Sequence, residues 1–473
     1  MADSRYEAIK RYRKSPWRLD NRVIQFLLCV IAGFFFTWLA SDSTFTDSQT
    51  YTLFILFFAI ALWITEAIPP FAVGILVIGF LVYTLGSSYL NSDPMEVMIY
   101  VNSWSSEVIW LMMGGFFLAE GMRRSRLDYA LFRLTANMFG SKPKRLLMGL
   151  MLTTMVSSMV MSNTATTAMM IAAIAPFLAS LDKRAPFSKA LLLGIPSAAA
   201  IGGMGTIIGS PPNAIATGAL ESVGQRMDFV QWMAFGLLPA LLLTYIMWVA
   251  LLKKYPPAVK NLDLSFITSQ KEHRPTSLKQ SQRMVLISLA VTVTFWMTSP
   301  IHKIPSSAIA GIPIMMLTIT GILKGKDIRR LPWDTLMLVA GGLALGQALL
   351  DTGLAEHFVG QLPIDNLNPF FTALALSLTT MALSNVMSNT ATASILIPIA
   401  LIVMRDDPYL AGVSIGLSAS CALLLPVSTP PNAIAFSTGH LQQSDFRFGG
   451  ILIGLLGPLV VTMWVFFLTR VFG

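Results

Sequence analysis

Two short strings hold the residues best suited to chemistry. Val160-Met161-Ser162-Asn163-Thr164-Ala165-Thr166 recurs letter for letter as Val386-Met387-Ser388-Asn389-Thr390-Ala391-Thr392, and Pro211-Pro212-Asn213-Ala214-Ile215-Ala216 recurs as Pro430-Pro431-Asn432-Ala433-Ile434-Ala435. The first string sets hydroxyls and a carboxamide in apolar surroundings; the second sets a carboxamide there, and its two adjacent prolines remove two backbone donors. Where a helix is interrupted, the N–H groups of its resuming end point at one spot with a partial positive charge. Ser and Thr hydroxyls and Asn N–H groups can bond a carboxylate at that spot. Carbonyls at the C-terminal ends of half-helices, with Ser and Asn oxygens, suit a hard monovalent cation such as Na⁺. One device can thus hold an anion and a coupling cation side by side. Small residues also serve as plain packing contacts between membrane helices. Recurrence of both strings in both halves favours a site.

The elements that position these strings are membrane helices. Hydrophobic residues make up 54% of the 473 and charged ones only 12%, against about 25% charged in an average globular chain. Mean hydropathy is +0.66. Apolar runs near the ~20-residue length of a membrane helix recur from Val23 to Phe472, which predicts an all-α polytopic membrane protein. The first run is long enough to span and lacks a small-residue cleavage pattern, so it does not read as a signal peptide. Cys29 and Cys421 both lie in apolar runs, which excludes a disulfide framework. The net charge of +9 does not indicate nucleic acid, because the basic residues cluster at the ends of apolar segments, where they set orientation.

Arg5, Lys10, Arg11, Arg13, Lys14, Arg18 and Arg22 place the N-terminal segment 1–22 in the cytoplasm. Spans are expected near 23–41, 51–69, 72–88 and 106–122, with Arg123, Arg124 and Arg126 back inside. Residues 146–181 are apolar, yet Lys142, Lys144 and Arg145 precede them and Lys183 and Arg184 follow. Both ends therefore read as cytoplasmic, and the segment as a re-entrant helical hairpin with Ser162-Asn163-Thr164 at its tip. Non-helical backbone at that depth needs cover from protein or a watery cavity. Spans near 187–215 and 229–252 follow, then a basic cytoplasmic linker, 253–283. Further spans are expected near 284–300, 305–323 and 333–350. A second hairpin, about 367–404, is flanked by Asp351, Glu356, Asp365, Asp406 and Asp407 and reads as entering from outside. Spans near 409–436 and 449–471 end the chain outside, giving eleven crossings and two hairpins.

Five crossings separate the hairpins, an odd number, so they enter from opposite faces. Gly114-Gly115 against Gly341-Gly342, and Trp63-Ile64-Thr65 against Trp296-Met297-Thr298, extend the correspondence between halves. Related halves of opposite orientation, each with a broken helix, are the inverted-repeat signature of secondary transporters. Other chemistry is weak. His273, His302, His357 and His440 are scattered in loops or at segment ends, and no zinc spacing, nucleophile elbow or phosphate-binding glycine loop occurs. Glu66 and Glu120 near span ends read as local structural pairs ahead of a proton relay. Residues 127–139 and 354–362 are short amphipathic stretches, interfacial helices or ordinary loop helices.

With each Ser-Asn-Thr string paired to a downstream Pro-Pro-Asn, the sequence resembles the divalent anion:sodium symporter family of dicarboxylate, citrate and sulfate transporters, from about residue 23 to 473. The resemblance implies a bacterial inner-membrane homodimer that imports C4-dicarboxylates such as succinate, malate or fumarate with sodium, by an elevator mechanism. Citrate or sulfate as substrate, or sodium-independent exchange, are the alternatives. Exchangers of the family tend to carry a basic residue just after Ser-Asn-Thr-Ala, where this chain has Thr166 and Thr392. The scaffold would be 23–126 and 284–350, and the moving transport domain 127–252 and 351–473. A first sodium site would use Ser158, Ser162, Asn163 and backbone at Gly209; a second, Ser384, Asn389 and backbone at Met387 and Ser428. Substrate carboxylates would meet Asn163, Thr164, Asn389 and Thr390, with Ser210, Pro211, Thr429 and Pro430 closing the pocket. Sodium is the cofactor so implied, with at least two sites, and lipid and substrate are the partners.

Overall fold

In a computed structural model of the chain, residues 21–180, 185–258, 261, 276–361 and 368–472 are described. The expectations placed on 1–20, on Lys183 and Arg184, on most of the 253–283 linker, including His273, and on Asp365 lie outside the described residues. The described residues form helices, with no strand among them. The principal helices are α1 (Asn21–Ala40), α2 (Asp47–Thr65), α3 (Pro70–Gly86), α4 (Glu107–Arg124), α5 (Leu127–Phe139), α6 (Pro143–Ser158), α7 (Asn163–Ser180), α8 (Pro186–Gly202), α9 (Pro211–Ser222) and α10 (Phe229–Lys254). In the second half they are α11 (Thr276–Met297), α12 (Gly311–Ile319), α13 (Trp333–Asp351), α14 (Leu354–Gln361), α15 (Pro369–Ser384), α16 (Asn389–Val403), α17 (Pro408–Ser418), α18 (Pro430–Ser437) and α19 (Gln443–Phe472).

Local chemistry fixes where these helices begin. Pro70, Pro143, Pro186, Pro211, Pro369, Pro408 and Pro430 each open a helix, where a missing N–H costs nothing and φ is already helical. Thr46 with Gln49, and Asp228 with Gln231, form reciprocal capping boxes at α2 and α10. Three expected boundaries move. α11 starts eight residues inside the expected linker, because a polar but helix-compatible stretch can extend a span into water. The two broken spans run on past 215 and 436, to Ser222 and Ser437, since each resumes as a fresh helix at its Pro-Pro pair.

Packing sorts the helices by environment. Only 17% of the α1 span is buried, whereas 94% of the α8 span is, so α1 lies on the outside of the bundle and α8 is walled in by protein. The Gly-Gly pairs mark close crossings: a Cβ on Gly341 would lie 2.2 Å from Gly74 Cα, and one on Gly114 2.9 Å from Ala310 Cα. Thus α13 rides backbone to backbone on α3, and α4 on the turn before α12. A second layer of helices surrounds α8, which packs on α6, α7, α10 and α18. The hairpin arms exchange partners between halves, α7 against α18 and α16 against α9. α9 and α16 also pack on α13.

Ion pairs act both locally and between segments distant in sequence. Asp445 accepts from Lys189 Nζ at 2.9 Å and Tyr255 OH at 3.1 Å, tying α8, the end of α10 and the start of α19 together. Glu120 takes Arg123 Nε at 2.7 Å, the local pairing expected of it. Arg124, in the last turn of α4, pairs at 2.8 Å with Asp327, whose side chain is fully buried and also accepts from Lys324 N at 3.0 Å. Asp327→Ala orphans that N–H and leaves Arg124 without its counter-ion. Thermal unfolding in detergent is expected to show a loss of roughly 1–3 kcal/mol; an unchanged midpoint would mean that water replaces the pair at no cost.

Candidate functional site

Each Ser-Asn-Thr string forms the tip of a helical hairpin. α6 ends at Ser158, four residues turn, and α7 starts at Asn163; α15 ends at Ser384 and α16 starts at Asn389. The two tips share one capping pattern. Ser162 Oγ accepts from Ala165 N at 3.2 Å, and Ser388 Oγ from Ala391 N at 3.2 Å. Ser and Asn produce this geometry because they cap helices and compete with the helical ladder. It leaves the first N–H groups of α7 and α16 at the break, as the sequence requires.

Each Pro-Pro-Asn string folds as the restart of a broken helix. α8 stops at Gly202 and two short 3₁₀ turns, Gly203–Gly205 and Ile207–Gly209, precede α9. Asn213 Nδ2 reaches back to Gly203 O at 2.7 Å and Thr206 O at 2.8 Å, clamping the carbonyls of the unwound segment. In the second half α17 gives way to a turn at Ala419–Cys421 and irregular chain up to α18. Asn432 Nδ2 makes the matching contacts, 3.3 Å to Leu423 O and 3.0 Å to Leu425 O. Both unwound segments are buttressed by a glycine of a later long helix. A Cβ on Gly236 would lie 2.1 Å from Met204 O, and one on Gly450 2.4 Å from Leu424 Cα.

The first set of expected cation ligands converges in part. Ser158 donates to Ala199 O at 2.7 Å. A hydroxyl has one proton, so Ser158 accepts from the Asn163 amide, 2.6 Å away; in that orientation the amide N also lies 3.1 Å from Ala199 O and 3.2 Å from Gly209 O. Ser158, Asn163 and the Gly209 carbonyl therefore meet at one point, while Ser162 is exposed and caps α7. In the second set, Ser384 Oγ and Asn389 Oδ1 are buried oxygens with no hydrogen-bond partner among the described residues. Met387 is buried beside them in sequence. Ser428 Oγ donates to Leu425 O at 2.8 Å. Buried oxygens without donors suit a desolvated cation, so this second set fits Na⁺; at the first point the Asn163 amide N already meets the oxygens, and a cation there requires the amide to turn its oxygen inward.

The expected anion ligands divide by exposure. Thr164 is exposed and Asn163, Asn389 and Thr390 are half-buried. Ser210 and Thr429 are buried N-cap residues of α9 and α18, and Thr429 Oγ1 accepts from Asn432 N at 3.4 Å. Pro211 is half-buried and Pro430 exposed. No Lys, Arg, His, Asp or Glu occurs in 157–166, 203–216, 383–392 or 419–435, so the electrostatics here are those of backbone and amide dipoles. Sequence reasoning missed the Ala199 carbonyl, the clamping role of Asn213 and Asn432, and Asn385, whose Oδ1 accepts from Leu424 N at 2.9 Å and ties the second tip to the unwound chain. The repeated Asn of Pro-Pro-Asn was the available signal.

The profile of the citrate transporter family matches residues 60–410. The chain belongs to this family. It is 30% identical over 466 residues to the sodium-dependent dicarboxylate transporter SdcS of Staphylococcus saprophyticus, covering 89% of this chain and 86% of that one. It is 29% identical to the protein of the same name from Staphylococcus aureus, over 88% of this chain and 85% of that one. Among solved structures it is similar to the Alcanivorax borkumensis YdaH transporter, with a TM-score of 0.52 at 12% identity over 85% of this chain and 99% of that one. It is also similar to Neisseria gonorrhoeae MtrF, with a TM-score of 0.51 at 12% identity over 84% and 94%. At that identity the structures speak for fold alone. The family places the chain among multi-pass membrane transporters, not enzymes, and bears out the resemblance read from the two string pairs.

Proposed function

We propose that the protein is a sodium-coupled symporter that carries C4-dicarboxylates such as succinate, malate and fumarate into the cell. The observation that carries this reading is the pair of hairpin tips: capped helix starts, converging oxygens and no fixed positive charge. The names of the relatives, sodium-dependent dicarboxylate transporters, support it. A dianion entering a cell at about −100 mV pays roughly 4.6 kcal/mol. Two Na⁺ cancel that charge, and a third lets the potential drive uptake. Asn163, Asn389 and the N–H groups of α7 and α16 would hold the carboxylates, beside the Ser158 and Ser384 oxygens that would hold the cations.

The moving part, on this reading, is the group of α5–α10 with α14–α19, carried as one body against α1–α4 and α11–α13 in an elevator step. Support comes from the packing: the restarted helix α9 and the hairpin arm α16 lie on α13, while α7 and α18 pack on each other and on α8. A homodimer would anchor the frame.

Uptake by proteoliposomes tests the proposal. Succinate uptake is expected to saturate and to fall to background when external sodium is replaced by choline. Sodium-independent uptake that requires internal dicarboxylate would make the protein an exchanger. The family's description as citrate transporters keeps a tricarboxylate reading in play; citrate competing better than succinate would establish it, and sulfate is measured in the same panel.

A further inference from the structure

We propose a second binding site, for the headgroup of an amine-bearing phospholipid such as phosphatidylethanolamine, in a groove of about 640 Å³ away from the hairpin tips. Small-molecule sites run to ~300–1,000 Å³, so the space suffices for a headgroup and the start of its chains. Three helix ends form it: the first turns of α10 and α17 and the last turns of α19. Helix ends mark the boundary between hydrocarbon and water, where headgroups lie. The floor is apolar, built from Val230, Ala234, Phe235, Leu410 and Leu468. The rim is polar, with Asp406, Asp407, Gln231 and Arg470 lining it.

The charges on that rim select the occupant. Arg470 donates to Asp407 Oδ2 at 3.0 Å and stacks over the Phe466 ring at 5.1 Å, which holds the guanidinium against the groove. A guanidinium presents five N–H donors, so Arg470 can meet a phosphate while keeping Asp407. Asp406 is exposed beside it. Asp406, Asp407 and Arg470 line the rim, with Arg226, Asp228 and Arg405 flanking it, so both signs stand side by side, which suits a phosphate that carries its own ammonium. A quaternary ammonium has no N–H to give the carboxylates, so a choline headgroup fits less well. Trp464 Nε1 donates to Ala234 O at 2.9 Å and pins α19 to α10 beneath the groove, so the walls are braced without the lipid.

The test is native mass spectrometry of the delipidated full-length protein, titrated with phosphatidylethanolamine, phosphatidylcholine or phosphatidylglycerol of matched chains. Phosphatidylethanolamine is expected to give one saturable adduct at roughly tenfold lower concentration than either competitor. Asp406→Asn is expected to erase that preference, and Val230→Trp, which fills the floor and touches no charge, to remove the adduct. Equal binding of all three lipids, preference for phosphatidylglycerol, or an adduct untouched by both variants would overturn the proposal. Because sodium-driven uptake is not the readout, this outcome is independent of the transport assay.

Discussion

Alanine in place of Asn163 or Asn389 is expected to lower sodium-driven uptake at sub-saturating substrate by roughly 100-fold. The two variants fail for different reasons. Asn163→Ala removes an amide that lies within 3.2 Å of Ser158 Oγ, Ala199 O and Gly209 O; Ser158 and Ala199 keep each other, and Gly209 O is left to find water. A hydrogen bond to a charged guest plus an orphaned buried partner amounts to about 3 kcal/mol, which is roughly two decades in an equilibrium constant. Asn389→Ala instead deletes an oxygen that has no protein partner among the described residues. Its sodium-free stability should therefore stay within about 0.5 kcal/mol of the parent, while sodium-induced stabilisation disappears. Thermal unfolding with and without sodium, beside uptake, separates the two cases. Uptake within threefold of the parent for both variants would remove the tips from the site.

A methyl group at Gly236 should be nearly as damaging, though it touches neither string. The new Cβ would lie 2.1 Å from Met204 O, a backbone atom that cannot rotate away and that also accepts Trp232 Nε1 at 3.0 Å. The 3₁₀ turns would have to move, and the Gly203 and Gly209 carbonyls with them. Overpacking of this kind costs about 1–3 kcal/mol, and the expected signature is a roughly tenfold rise in the sodium concentration for half-maximal uptake. Gly450→Ala should act alike, 2.4 Å from Leu424 Cα, whereas Gly79→Ala, with nothing within 4 Å, should be silent. Sodium dependence unchanged in Gly236→Ala would uncouple the buttress from the ion site.

The contrast between these two sets of residues shows what the sequence can express. Asn163 and Asn389 are visible because the strings around them repeat and break apolar runs, and flanking Lys, Arg, Asp and Glu bracket the hairpins. Helix starts are visible too, since Pro70, Pro143 and Pro408 have only one comfortable place in a helix. Gly236 and Gly450 are invisible, because their meaning lies in the carbonyl or Cα of a residue some thirty places away, and a lone glycine in a membrane span carries no address. The start of α11 at Thr276 was hidden by its polarity. The clamps made by Asn213 and Asn432 were printed in the repeat, but their partners are backbone carbonyls, which have no letter.

The uncharged lining of the tips has a consequence for acidity. Dipoles and amides do not titrate between pH 5 and 9, so the cradle itself gains and loses no proton across that range. A fall in substrate binding at the tips as the medium is acidified then reports the guest: as a dicarboxylic acid takes up a proton, fewer of its molecules carry the full double charge. The acid limb of the binding curve should accordingly shift when one acid is exchanged for another of different strength, and stay put when residues of the tips are mutated.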